Sequence, residues 1–442
     1  MKKIIISFVI INLLLYFTAP PKATAQVNTQ DSLALLAVYN STDGINWSWP
    51  WMINLPVSNW TGVTIVNNRV TILNLFNMGL NGIISPEIGN LSFLKELILE
   101  NNNLYGTIPA EIGNLTELTN LNLKSNNLTG SIPIELFNLS NLTILMLWFN
   151  QFTGNLPPQI GSLINLTNLY LNDNNFSGQI PNELYNITTL QYINLSNNQF
   201  SGNISTNIYS LVNLYSFGIT NNNIENLPDL SPLNANSLLA IGCNNNKLTF
   251  EDLETNISIA WQNFNYVPQD SVWYTLDTAI SLGSSVSFST LIGGSQNHYQ
   301  WYKNSVLLLS DTLPIVTINN VAFSDSGVYT CKITNSIVTD LTLDRHLIKL
   351  HITDTASVVS EKELDVPIKV TPNPCSGSFI IAPCDFRRLE ISDMSGVVVH
   401  TVFDNPNGSC SIDISFLPNG VYVLKMIKDN NIITQKLIKT GN

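Results

Sequence analysis

The chain is poor in basic residues, histidine, cysteine and long apolar runs, and each shortage excludes something. It has 19 Lys and Arg against 31 Asp and Glu, a formal net charge of -12. Such a surface offers no footprint for a phosphate backbone and is repelled by anionic lipid, so nucleic acid is excluded as a partner. Only four histidines occur, His298, His346, His351 and His400. They lack the spacing and the neighbouring acids of a zinc site. No nucleophile elbow and no glycine-rich phosphate loop after a strand is present. These shortages predict no metal, no cofactor and no enzymatic activity. The five cysteines, Cys243, Cys331, Cys375, Cys384 and Cys410, are odd in number. They do not form a disulfide scaffold, so stability must come from burial. A pair among the last three stays open.

The one sustained apolar run is Ile4 to Phe17, behind Lys2 and Lys3 and ahead of Ala23-Thr24-Ala25. It is shorter than the roughly 20 residues a membrane span needs. The pattern predicts a signal peptide over 1–25, cut before Gln26, and no transmembrane anchor in the mature chain. No cysteine follows the cut, so no lipid attachment there is expected.

What the chain has in abundance is repetition. Leu94, Leu97, Leu99, Asn102, Leu104, Gly106, Ile108, Pro109, Ile112 and Leu115 define a template. It restarts at Leu118, Leu142, Leu166 and Leu190, reaches back to Val70, and runs on in weaker form to Leu214 and Leu238, eight units in a 24-residue register. Alternation puts Leu97 and Leu99 on one side of a short strand, with Glu96, Ile98 and Glu100 on the other. One such strand cannot bury its face alone; stacked copies close each other's core. Eight strands at the usual spacing make a parallel sheet about 40 Å long. Asn102, Asn126, Asn150, Asn174, Asn198, Asn222 and Asn246 recur at one position, with Met78 the exception. Their amides are expected to satisfy backbone groups where the chain leaves the strand, a structural ladder. Gly82, Gly106, Gly130, Gly154, Gly178 and Gly202 mark the bend that follows. Glu87, Glu111, Glu135 and Glu183 recur with the same period. A periodic row on the outer side is a template feature, unlike the single carboxylate pair of a glycosidase.

Gly106-Thr107-Ile108-Pro109, Gly130-Ser131-Ile132-Pro133 and Gly178-Gln179-Ile180-Pro181 resemble the G-x-I-P segment of plant-type leucine-rich repeats. The resemblance implies a solenoid whose strands line a concave side. Residues 26–69 resemble that family's N-terminal cap, with a helix at Asp31–Tyr39 and Trp47, Trp51 and Trp60-Thr61-Gly62-Val63 sealing the first repeat. The cysteine pair of plant caps is missing. The solenoid is placed at 70–268, closed by Leu238 to Pro268.

Beyond Pro268 short strands alternate with turns. Tyr299-Gln300-Trp301-Tyr302-Lys303 and Asp325-Ser326-Gly327-Val328-Tyr329-Thr330-Cys331 resemble strands C and F of an immunoglobulin-like sandwich, placed at 269–354. Trp301 is then the core tryptophan and Tyr329 the tyrosine corner. Thr290 stands where the B-strand cysteine belongs, so Cys331 is expected to be a buried thiol. A polar linker covers 355–366. Over 367–442, Thr371-Pro372-Asn373-Pro374, Asp393-Met394-Ser395-Gly396 and Leu417-Pro418-Asn419-Gly420-Val421-Tyr422 resemble the type A C-terminal sorting domain of the type IX secretion system. That implies a small β-sandwich, recognition by the type IX machinery, and export to the outside of a Gram-negative bacterium. The fold class expected is thus a leucine-rich-repeat solenoid of parallel β with short 3-10 segments, followed by two all-β sandwiches.

Most positions facing out from the expected concave sheet are small or polar, such as Asn74, Asn122, Asn194, Ser216 and Gly242. Against them stand Phe76, Ile98, Ile144, Met146, Trp148, Phe149, Tyr170 and Tyr192. Grouped exposed aromatics mark binding sites, so these are the candidate ligand contacts. The alternative for Trp148 and Phe149 is packing against the loop that leaves their strand. The function expected is a secreted or cell-surface protein that binds a protein or glycan. A structural surface component without a dedicated ligand is the alternative, and an exported hydrolase the third reading.

Overall fold

The computed structural model describes residues 27–353 and 369–440, apart from short stretches at 235–236, 309–311, 374, 376, 383–387, 394–397, 404–409, 416 and 429–430. The expected signal peptide and the whole of the expected linker lie outside the described residues. Two compact units separate near Thr353.

The first unit opens with helix α1, Thr29–Ser41, whose N-cap Asn28 accepts from the Gln30 N–H. Its Asp31 is fully buried and holds Arg69 in a two-pronged ion pair, while also accepting from Val70 N–H. Trp47, Trp51 and Trp60 pack together at the first repeat, Trp47 edge-on to Trp51 at 4.9 Å and Trp51 stacked on Trp60 at 4.7 Å between ring centroids. This aromatic plug replaces the missing cysteine pair, and each indole N–H reaches a backbone carbonyl. Gly62, at φ +84°, lies so close to the Asn74 carbonyl that a Cβ would sit 2.0 Å from it. Only glycine fits there.

The eight template strands stack in parallel and in register, from Arg69–Asn74 to Ala240–Gly242. Two strands lengthen the sheet beyond the template. Val63–Val66 pairs antiparallel at the start and Asn263–Asn265 adds in parallel at the end, which makes ten. A second sheet of seven short strands, Asn81–Gly82 to Asn223–Asn226, lies across the turn. The first six repeats return through a 3-10 turn, such as Ala110–Asn114 with the recurrent glutamate in its first turn, and the last two through short α-helices, Ser231–Asn234 and Phe250–Glu254. The leucines of every repeat are buried in one continuous core. Phe152, Phe176 and Phe200 stack within it at 6.0 and 6.2 Å, a spine of rings at the template's Leu104 position.

The asparagine ladder forms as its chemistry demands. Asn150 Oδ1 accepts from Leu128 N–H of the preceding repeat. Its Nδ2 donates to Leu123 O of that repeat and to Leu147 O of its own. Asn102, Asn126, Asn174, Asn198, Asn222 and Asn246 repeat the pattern. Gln269 supplies the terminal rung, accepting from Asn246 N–H and donating to Cys243 O.

From Leu276 to Thr353 the strands form a sandwich, a six-stranded sheet facing the pair Val286–Ser289 and Ile315–Ile318. Trp301 is fully buried and donates to Leu313 O. The Tyr329 hydroxyl donates to the Asp325 carbonyl four residues back, closing the tyrosine corner. Cys331 is buried, which pushes its thiol up to about 12. Thr290 is buried beside this core.

In the second unit a three-stranded and a four-stranded sheet share one apolar core. Asn373, from the Pro-Asn-Pro segment, pins the chain to the last strand, donating to Lys436 O and accepting from Ile438 N–H. Cys375 is a buried free thiol. Cys384 and the side chain of Cys410, the rest of the open cysteine question, lie outside the described residues. Among the described residues no helix is long and apolar enough to cross a membrane.

Candidate ligand-binding face

The outward positions of the ten-stranded sheet form columns, because parallel in-register pairing places equivalent residues side by side. One column reads Ile72, Glu96, Asn120, Ile144, Asn168, Tyr192, Ser216 and Ala240. The next reads Asn74, Ile98, Asn122, Met146, Tyr170, Asn194, Gly218 and Gly242. Just past the strands comes a third at the same 24-residue spacing: Phe76, Glu100, Lys124, Trp148, Asn172, Ser196, Thr220 and Asn244.

This geometry splits the candidate residues. Met146 and Tyr170 are register partners, and Tyr192 stands on the next strand. Tyr192 also meets the ring of Tyr215, 5.6 Å away. Phe76 stands apart from Trp148. Between them Glu100 and Lys124 pair at 3.2 Å, and Lys124 Nζ sits 4.7 Å over the Trp148 ring. Ile98 faces the same polar stretch, flanked by Asn74 and Asn122. Ile144 lies between Asn120 and Asn168.

Phe149 requires a correction. It is not on the strand face but at the corner beyond it, with φ +52°. Equivalent corners hold Asn77, Asn101, Ser125, Asp173, Asn197, Asn221 and Asn245, all left-handed. Short polar side chains tolerate that backbone and an aromatic does so at a cost. Asn101 donates to Asn77 and Asn197 to Asp173 along this edge, a polar ladder that Phe149 interrupts. Its ring turns instead onto Trp148, 5.1 Å between centroids. Trp148 is therefore half-buried, with Lys124 over its ring and Phe149 against its side.

What sequence reasoning missed is a hollow beside the tyrosines, with a volume of about 230 Å³. Tyr170 and Tyr192 form its wall; Gly218, Gly242, Ala240 and Ser216 form its floor. A Cβ on Gly218 would come within 2.8 Å of Asn194 Oδ1 and 3.0 Å of Ser196 Oγ, so these two side chains lean over the glycine. The signal was in the columns: after Tyr170 the second one falls to Asn194, Gly218 and Gly242.

Five consecutive segments, 93–115, 117–139, 141–163, 165–187 and 189–211, match the family model of the Leucine Rich Repeat. These segments are leucine-rich repeats. Residues 271–335 match the Immunoglobulin domain and residues 369–440 the Secretion system C-terminal sorting domain. The repeats are similar to those of a probable LRR receptor-like serine/threonine-protein kinase of Arabidopsis thaliana, 52% identical over 54 residues. The LRR receptor-like serine/threonine-protein kinase EFR of the same plant is 50% identical over 54 residues. Each match covers 12% of this chain and about 5% of the relative's length. Among solved structures, a plant ice-binding protein aligns at 25% identity and TM-score 0.47, covering 56% of this chain and 89% of its own. The structure titled PEPR1-AtPEP1 aligns at 25% identity and TM-score 0.45, covering 57% and 43%.

Proposed function

We propose that this leucine-rich-repeat protein is a non-enzymatic recognition protein, exported through its sorting domain at 367–442 and displayed or released outside the cell. Cleavage before Gln26 frees the mature chain. The solenoid at 70–268 takes a protein segment or glycan on the outward face of its long sheet, and the immunoglobulin-like domain at 269–354 follows it. Tyr170 and Tyr192 provide the contact, with Met146 extending the wall. The observation that carries this reading is the hollow between those rings and the Gly218–Gly242 floor. Flat rings beside a hollow lined by small and polar side chains suit either a sugar face or an extended peptide.

The test starts from the mature chain, immobilised and probed with a glycan array and a displayed peptide library. Hits are measured again on Tyr170→Ala with Tyr192→Ala, and on Gly218→Val, which fills the floor. The expected loss is about tenfold or more for each. Hits that bind both variants as tightly as the parent would remove the sheet face from the account. Deleting 367–442 is expected to leave the chain inside the cell envelope, as fractionation would reveal.

A further inference from the structure

A larger cavity, about 740 Å³, lies where the solenoid ends and the immunoglobulin-like sandwich begins. Its lining comes from three sources. Lys247 belongs to the last repeat, His346 and Leu291 to the sandwich, and Asp270 to Trp273 to the strap between them.

The strap is held at both ends by backbone hydrogen bonds. Asp270 N–H donates to Asn246 O at 2.7 Å on the solenoid side. Val272 N–H donates to Asp344 O and its carbonyl accepts from His346 N–H, at 2.9 and 3.0 Å on the sandwich side. The two modules are further joined by Glu254, whose Oε1 accepts from Ser295 N–H and Asn335 Nδ2. The cleft is therefore a framed cavity, and its walls keep their spacing.

At its mouth Trp273 is 40% exposed and sits at φ +64°. A bulky residue in the left-handed region costs roughly 1–3 kcal/mol, and such residues persist where surroundings over-determine them, often at ligand clamps. Here the Val272 pairing fixes the backbone and leaves the indole in the open. Among the described residues no other ring stacks on it.

We infer that this inter-module cleft is a second binding site, for a short neutral oligosaccharide, with Trp273 as the stacking platform. It stands on different residues from the sheet-face reading and does not depend on it. The volume is within the range of about 300–1,000 Å³ usual for small-ligand sites. The lining mixes an exposed ring with hydrogen-bonding groups of both signs: the Asp270 carboxylate, the Lys247 ammonium, the His346 imidazole and the Ser271 hydroxyl. Lys247 is already paired with Glu225 at 3.6 Å, so no uncompensated cation draws in an anion. An extended peptide cannot pair with Val272 at the middle of the strap, because both of its polar backbone groups are already bonded. A ligand here must be read by side chains, and hydroxyls beside a flat ring suit that set.

The experiment uses the mature chain labelled with 5-fluorotryptophan, the Trp273 resonance being assigned through Trp273→Phe. Cellotriose, maltotriose, xylotriose, laminaritriose and chitotriose are each titrated to about 10 mM, above the weak-affinity range near 1 mM. At least one is expected to move the Trp273 resonance along a saturable curve. Calorimetry on the same sugar is expected to show about a tenfold weakening in Trp273→Ala and in Asp270→Asn. Trp49→Ala, which removes an exposed indole of the N-terminal cap, is expected to leave the affinity unchanged and so ties the loss to this cleft. Trp273→Gly, which suits the positive φ, repeats the test free of folding effects. If no trisaccharide moves the resonance, or if binding persists without the indole, the inference is overturned.

Discussion

Replacing Asn150 with alanine probes the ladder that welds one repeat to the next, and the hydrogen-bond pattern makes the cost calculable. The substitution orphans the buried Leu128 N–H, whose side-chain partner is Asn150 Oδ1 at 3.0 Å. It does not orphan the carbonyls. Leu123 O also accepts from Asn126 Nδ2, and Leu147 O also accepts from Asn174 Nδ2. One unsatisfied donor plus two weakened acceptors amounts to about 2–4 kcal/mol. The shared carbonyls then predict a specific non-additivity. In the double variant Asn150→Ala with Asn174→Ala, Leu147 O loses both of its amide donors. The pair should cost about 1 kcal/mol more than the sum of the singles. Asn126 and Asn174 share no carbonyl, so their double variant should be additive. Urea unfolding followed by circular dichroism gives the totals. Hydrogen exchange over 118–176 localises the loss, which matters because repeat arrays need not unfold in one step. Single substitutions costing under about 0.5 kcal/mol, the range of an inert surface change, would refute the reasoning. So would equal coupling for near and distant pairs.

Phe149→Asn exchanges a ring contact for a residue suited to the left-handed corner. Relief of about 1–2 kcal/mol of backbone strain outweighs a half-exposed ring pair worth about 0.5–1 kcal/mol, so a small rise in thermal midpoint is expected, and a fall would reverse that ranking. Thr290 Oγ1 is buried without a hydrogen-bond partner among the described residues. Thr290→Val should stabilise the sandwich by about 1 kcal/mol in urea melts; a loss of stability would reveal a bound partner for the hydroxyl. Although burial opposes its charge, hydrogen bonds from Ser295 and Asn335 hold the Glu254 carboxyl below its ordinary value. Its contribution to joining solenoid and sandwich is thus present above about pH 4.3, the unfolded value, and fades as pH falls through the lower folded one. Glu254→Gln should lose stability at pH 7, and its deficit should shrink as pH falls below the unfolded value; a deficit that does not change with pH would contradict the ionic role. Burial also pushes the Cys243 thiol well up, so it and Cys331 should resist a thiol reagent until the chain is unfolded. Rapid labelling of either in the native protein would contradict that burial.

The amino-acid sequence by itself determined the stacking. A leucine pattern that returns every 24 residues leaves each strand one apolar face, and only a neighbour of the same kind can cover it. The asparagine at the strand exit, the glycine at the bend, the tyrosine corner at Tyr329 and the buried Trp301 were legible for the same reason: each answers a local backbone or packing demand. Tertiary structure alone decided which outward residues meet. Adjacency across the sheet separates Phe76 from Trp148 by an ion pair, and backbone sign turns Phe149 off the strand, though it is next to Trp148 in sequence. The hollow at Gly218 and Gly242 exists because stacked strands align two missing side chains. The cleft at Trp273 exists because residues from the last repeat, the strap and the sandwich close around one space. Periodicity records what each repeat needs in order to bury itself, and it carries no record of what two distant segments enclose.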